Sequence, residues 1–328
     1  MTAPPLETPV SVVIATHNRP ASLVACLDSV LAQRHRRFEV LVVDNGPGDD
    51  ETRELVAEMT RRNPRLRYLR EPRAGASLAR NRGWREARHP IVAFLDDDVI
   101  ADPDWLPSLL QGFSRAAGVW AVTGRIVANE LETPAQQWLE AYGGFDKGPN
   151  PRVFDMNGHA VASPLYPYLP GAFGSGANIA VCRSVLSRLG GFDEALGPGT
   201  PARGGEDLAI MASVILAGGR LAYEPAALVR HAHHREYTQH RRVMLGYGLG
   251  LGAFLAKIVA DDPRRLVDVA KRAAPGVGYL LAPGSPKNAR KSADYPAELG
   301  RLEHLGFVAG PAAYVVGRVR NARRAKAA

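Results

Sequence analysis

Three adjacent carboxylates, Asp96-Asp97-Asp98, end the apolar run Ile91–Leu95. Such a cluster is costly unless positive charge compensates it. On an extended chain Asp96 and Asp98 point to one side and Asp97 to the other. Two carboxylates on one side supply the hard oxygen ligands that Mg²⁺ and Mn²⁺ prefer; the competing reading is an acidic turn or helix cap ahead of Pro103. Asp44 ends another apolar run, Glu39–Val43, where an acid can accept hydrogen bonds from a base or ribose, or can simply open a turn. Glu206 and Asp207 precede the helical pattern Leu208–Leu216, so the positive end of a helix dipole favours their ionised forms, and an ordinary N-cap competes. His231, His233, His234 and His240 place four of nine histidines within ten residues. Imidazole can complete a metal shell begun by carboxylates, and these four alone fit a zinc site or a basic patch equally well. Gly171–Asn178 (GAFGSGAN) permits close backbone approach to a ligand. Its Asn178 either hydrogen-bonds a bound group or ends a glycine-rich turn.

These residues need a scaffold, and the first hundred positions supply a regular one. The β-like runs Val10–Ala15, Glu39–Val43, Leu66–Leu69 and Ile91–Leu95 alternate with helical patterns over Ala21–Gln33, Glu51–Arg62 and Ser77–Ala87. Three of the runs are continuously apolar, as in strands buried on both faces of a parallel sheet. The alternation predicts βαβ units in an α/β, doubly wound sheet. Ligands on such sheets bind beyond the carboxyl ends of the strands, which is where Thr16-His17, Asp44 and Asp96–Asp98 fall. Neither G-x-G-x-x-G nor G-x-x-x-x-G-K-[ST] occurs, which argues against a dehydrogenase-type dinucleotide site and a P-loop.

The 328 residues are 46% apolar and 23% charged, which excludes disorder, collagen-like and coiled-coil states. Two cysteines cannot form a disulfide framework or a four-cysteine zinc site, and as reduced thiols they point to the cytoplasm. Met1–Pro9 has neither a basic start nor an apolar run, unlike a secretory signal. The net charge is +8. The stretch from Asp261 onward holds 13 basic and 6 acidic residues, a net of +7. A nucleic-acid binder more often spreads its basic face over the fold. A basic terminal region suits an anionic membrane surface, peripherally, or a solvated tail. The longest uncharged stretches, Val243–Ala256, Ala273–Pro286 and Leu305–Gly317, are 13 or 14 residues, short of the roughly 20 that cross a bilayer.

Six segments together, in order, resemble the family 2 glycosyltransferases of inverting GT-A type: VSVVIATHNRP, EVLVVDNG, AGASLARNRG, VAFLDDDVIADPDWL, GSGANIAVCRSVLSRLGGFDEALGPGTPARGGED and LAYEPAALVRHAHH. The resemblance covers roughly Pro9 to His234. It implies a GT-A-like, Rossmann-type mixed sheet, a nucleotide-diphospho-sugar donor, with UDP first among the candidates, and Mn²⁺ or Mg²⁺. Carried over, Thr16 and His17 line the base and ribose pocket, Asp44 faces the base edge, and Arg80 lies near the base or phosphates. Asp96 and Asp97 fall with the donor, Asp96 and Asp98 hold the metal, and His231 completes the shell with His233 as the alternative. Asp207 becomes the general base, while Asn178, Glu206 and His233 are placed near the sugar or acceptor. The acceptor expected is a lipid-linked or cell-envelope saccharide, or a small natural product, at the inner face of the membrane. Arg241, Arg242 and the GYGLGLG stretch are expected to hold a lipid diphosphate. The expected organisation is a catalytic domain over 1–240, with a nucleotide-binding half (9–100) and an acceptor-binding half (101–240), then a helical, basic extension over 241–328. A nucleotidyltransferase would want a glycine-rich basic loop where THNRP stands. A non-catalytic sugar-nucleotide-binding or membrane-docking module would be expected to have lost one of Asp96, Asp98 and Asp207.

Overall fold

The computed structural model describes residues 3–168 and 171–327. The first two residues of the N-terminal segment and the last of the basic extension therefore lie outside it. The chain opens with β1 (Val10–Thr16), α1 (Pro20–Leu31), β2 (Phe38–Asn45), α2 (Glu51–Arg62), β3 (Leu66–Glu71), α3 (Ala76–Glu86) and β4 (Ile91–Asp96). Pro20 starts α1 at the position where a missing N–H is harmless. The branched residues of β1, β2 and β4 are buried on both faces, and β3-β2-β1-β4 pair in parallel. The predicted alternation is thus the observed one.

The second half mixes strand directions. It contains β5 (Val99–Ala101), α4 (Trp105–Gly112), β6 (Val119–Ala128), α5 (Pro134–Tyr142), β7 (Arg152–Phe154), β8 (Asn178–Cys182), α6 (Arg183–Leu189), α7 (Glu206–Leu216) and β9 (Arg220–His231). Among the described residues the sheet has nine strands in the order β3-β2-β1-β4-β8-β6-β9-β5, with β7 also on β9. β8 runs antiparallel to both β4 and β6, and β6 and β9 are parallel, so the sheet is mixed. Fully buried Trp105, Phe94, Phe113 and Tyr223 fill the main core.

Four helices follow: α8 (Tyr237–Asp261), α9 (Arg265–Lys271), α10 (Ala273–Leu281) and α11 (Ala297–Ala327). Two expectations are corrected here. First, the glycines of GYGLGLG are not a ligand loop. They lie within α8, and a Cβ at Gly248 would stand 1.9 Å from the Glu303 carbonyl oxygen, one at Gly252 2.2 Å from that of Phe307. Gly306 and Gly310 of α11 are equally tight against α8, so small residues let two helix backbones touch. Arg241 pairs with Glu298 at 2.6 Å, and Arg242 is exposed. Second, the continuous helix makes an apolar segment longer than the uncharged run suggested. α8 has 25 residues and is apolar enough to cross a membrane by length and composition, yet half of its apolar window is buried in the protein. α8 also runs through residues 240 and 241, so the expected domain boundary falls inside a helix.

Candidate active site

The strand register sets the site. Thr16 is level with Asp44, and Ala15 with Asp96, so three strand ends, two of them bearing acids, meet at one edge. Asp44 is fully buried. Its Oδ2 accepts from the Tyr68 hydroxyl at 2.8 Å, and its Oδ1 has no partner. Burial raises the Asp44 carboxyl despite that hydrogen bond, and burial beside Asp44 pushes Tyr68 up to about 12. His17 is exposed, and its Nδ1 meets the Asn45 carbonyl at 2.6 Å. Asn45 takes the Gly75 N–H at 2.8 Å and donates to the Arg73 carbonyl at 2.7 Å, which fixes the entry into α3. Asn45 and Tyr68 are not singled out in the sequence, where they read as an ordinary turn and strand residue.

The three acids do not follow strand alternation, because β4 stops at Asp96 and the next two residues turn. Asp97 is buried and accepts from the Thr16 hydroxyl at 2.7 Å. These two side chains satisfy each other, so the expectation that both face a donor is corrected. Asp96 is held by Arg80 Nη2 at 2.8 Å. Asp98 Oδ2 faces Arg19 at 3.2 Å. Asp98 Oδ1 is buried without a hydrogen-bond partner, 3.5 Å from His231 Nε2. Burial and the charges of Asp96 and Asp97 push Asp98 up to about 7.

Arg80 carries the architecture of the site. Its other branch reaches Glu206 Oε1 at 2.7 Å, so one guanidinium joins the end of β4 to the start of α7. Burial opposes its charge, and Asp96 and Glu206 overcome that opposition. Glu206 is closed off in this ion pair and is not free to touch an acceptor, which corrects its expected role. Its neighbour Asp207 is half-buried. The Asp207 carboxylate accepts from the Gly176 N–H at 3.1 Å and the Leu208 N–H at 2.8 Å, at the positive end of α7. Two glycines make this possible. A Cβ at Gly176 would lie 2.7 Å from that of Asp207, and one at Gly205 (φ +87°) 2.4 Å from the Gly250 carbonyl oxygen. Helix α8 thus supports the turn that carries Asp207. Tyr247 of α8 stacks on Tyr142 at 5.7 Å, and Asp207, Asp98 and Glu140 add to burial in raising its hydroxyl.

Asn178 is corrected as well. It is fully buried, accepts from Trp105 Nε1 at 2.8 Å, and donates to the carbonyls of Arg125 and Ala227 at 3.1 and 2.8 Å. It ties β8 to β6 and β9 and has no capacity left for a sugar.

The histidines form a line. His231 Nδ1 meets His233 Nδ1 at 2.8 Å, and His233 Nε2 meets Glu140 Oε1 at 2.8 Å. The Phe145 ring packs on both imidazoles. Burial and His233 push His231 down to about 4. His233 is engaged at both nitrogens, so it cannot be the alternative metal ligand. Among the described residues no three His, Cys, Asp or Glu side chains stand together as a metal cage. The expected trio of Asp96, Asp98 and His231 is incomplete because Asp96 turns to Arg80. The pair that remains fits a divalent cation: an orphaned carboxylate oxygen 3.5 Å from an imidazole nitrogen, beside two further carboxylates.

Sheet order, the acids at its edge and the helical cover are those of a GT-A type glycosyltransferase fold. The chain belongs to glycosyl transferase family 2, whose sequence profile matches residues 11–189. It is 33% identical over 236 residues to a pre-mycofactocin glycosyltransferase of Mycobacterium tuberculosis, covering 71% of this chain and 44% of that protein. It is 25% identical over 186 residues to a glucosyl-dolichyl phosphate glucuronosyltransferase of Haloferax volcanii, covering 56% of each. The chain thus spans about half the length of these relatives. A mannosyltransferase from Pyrobaculum calidifontis, solved with GDP-Man and Mn²⁺, shares the fold with a TM-score of 0.59 at 20% identity, over 98% of this chain and 89% of that one.

Proposed function

We propose that the protein is an inverting, metal-dependent glycosyltransferase that moves a sugar from a nucleoside-diphospho-sugar to an acceptor hydroxyl. The observation that carries this reading is the Arg80 bridge, which holds the acids after β4 and the Asp207 turn on one site. Asp207 is the general base: it takes the proton of the acceptor hydroxyl as that oxygen attacks the anomeric carbon. A single base with attack opposite the leaving group inverts the anomeric centre. Asp98 and His231 would hold Mn²⁺ or Mg²⁺, with Asp96 kept beside them by Arg80. The cation supplies Lewis-acid stabilisation of the charge building on the nucleoside diphosphate. Asp44, whose Oδ1 lacks a partner, is assigned to the base edge, with uracil, which offers one ring N–H, first among the candidates. Thermal denaturation with a panel of nucleotide sugars, with and without Mn²⁺, tests this by mass action. Stabilisation by a UDP-sugar only with Mn²⁺ is expected. A shift with GDP-sugars alone would overturn the base assignment, and no shift with any nucleotide sugar would overturn the reading.

The acceptor proposed is a lipid-linked or envelope saccharide met at the inner face of a membrane. Exposed Leu305, Val308, Val315, Val316 and Val319 recur at helical spacing along one stripe of α11. Basic residues follow the stripe at Arg320, Arg323 and Arg324. A helix with an apolar stripe and basic flanks binds in the interface of an anionic bilayer rather than across it.

A further inference from the structure

We propose that Glu140 and His233 are positioning residues that fix the tautomer of His231 and so aim a lone pair at the metal. The inference rests on the reading of His231 as a metal ligand and adds a function for two residues outside that ligand set.

The argument is one of proton counting along a line of contacts. Glu140 is an acceptor, so the 2.8 Å contact with His233 Nε2 requires a proton on that nitrogen. The 2.8 Å contact between the two Nδ1 atoms has room for one proton. A neutral imidazole carries a single N–H, and that of His233 is given to Glu140, so His233 Nδ1 accepts. The proton between the rings therefore belongs to His231 Nδ1, and His231 Nε2 stands 3.5 Å from Asp98 Oδ1. His231 Nε2 is left as a bare lone pair facing Asp98 Oδ1, the arrangement a cation between them requires. Phe145, tilted against His231 and edge-on to His233, and a bond from Gln136 Nε2 to the His233 carbonyl at 3.3 Å hold the line in place. Metal-bound histidines generally have their second nitrogen fixed in this manner; here a second imidazole stands between carboxylate and ligand.

Two measurements test it. Long-range ¹H–¹⁵N spectra of histidine-labelled, metal-free protein should show His231 protonated at Nδ1 and His233 at Nε2. His231 protonated at Nε2 would overturn the proposal whatever the metal does. Titration calorimetry with Mn²⁺ should then show Glu140→Leu weakening binding by about 10- to 100-fold, with Glu140→Gln, which keeps an acceptor oxygen, close to the parent. On a His231→Ala background, Glu140→Leu should add nothing, because its effect runs through His231. An equal loss on both backgrounds would overturn the proposal. If His231→Ala alone left Mn²⁺ affinity unchanged, the ligand assignment would fail, while the spectra would still report on the tautomer.

Discussion

Asp207 and Glu206 are adjacent, yet their surroundings give them different work. Asp207 keeps a partly exposed carboxylate at a helix start, and Glu206 is locked to Arg80. Asp207→Asn retains the size and the capping capacity but removes the base. Single-turnover transfer should fall by about 10² or more, with melting temperature and donor affinity near parental. Glu206→Gln should do the reverse in part. Gln keeps an acceptor for Arg80 but removes the buried counter-charge, which should destabilise by up to about 3 kcal/mol, read in urea, with a smaller loss of turnover. Parental turnover in Asp207→Asn would leave that residue as a cap only. The sequence makes the acids after β4 visible because three adjacent carboxylates ending an apolar strand are costly unless compensated. It misleads at Asn178, since a glycine-rich stretch ending in Asn has the composition of a ligand loop. The three groups that satisfy Asn178 belong to residues about 50 or more positions away. Glu140 escaped notice for the same reason: one acid on an amphipathic helix looks like any solvated one.

At the scale of elements, apolar runs and helical periodicity delimit β1 to β4 and the helices between them, because strands buried on both faces cannot be polar. The strands after β4 are less legible, since β8 and β9 take partners far along the chain. The α8–α11 pair is least so. Glycine weakens an isolated helix, and only the facing glycines of α11 explain Gly248 and Gly252. Gly248→Ala should therefore cost about 1–3 kcal/mol, as overpacking does, measured by chemical denaturation. Gly278→Ala, with open space around it, should be neutral or stabilising by up to about 1 kcal/mol. Gly250→Ala presses on the backbone of Gly204 and Gly205. Its expected signature is a drop in turnover exceeding the drop in donor affinity, because the Asp207 turn moves and the donor edge does not. Equal turnover in Gly250→Ala and Gly278→Ala would mean that α8 does not position the base.

At the scale of the whole molecule, charge and apolar surface coincide. The net +7 from Asp261 onward falls in the region whose helices expose Leu266, Val267, Val277, Leu281 and the α11 stripe. Flotation with anionic vesicles should carry the protein upward in low salt and release it in high salt, since screening shortens the reach of exposed charge. Absence of flotation in low salt would return α11 to a solvated role. The contact between Gly205 and Gly250 has a further consequence, for how such a protein can be recombined. A catalytic unit is usually pictured as portable, with its terminal helices exchanged like fittings. Here the wall behind the base is built from the terminal helices, backbone against backbone, with no side chain to absorb a mismatch. A graft of foreign helices after residue 240 would have to bring glycine at the position of Gly250, or the donor half would be inherited intact beside a displaced base.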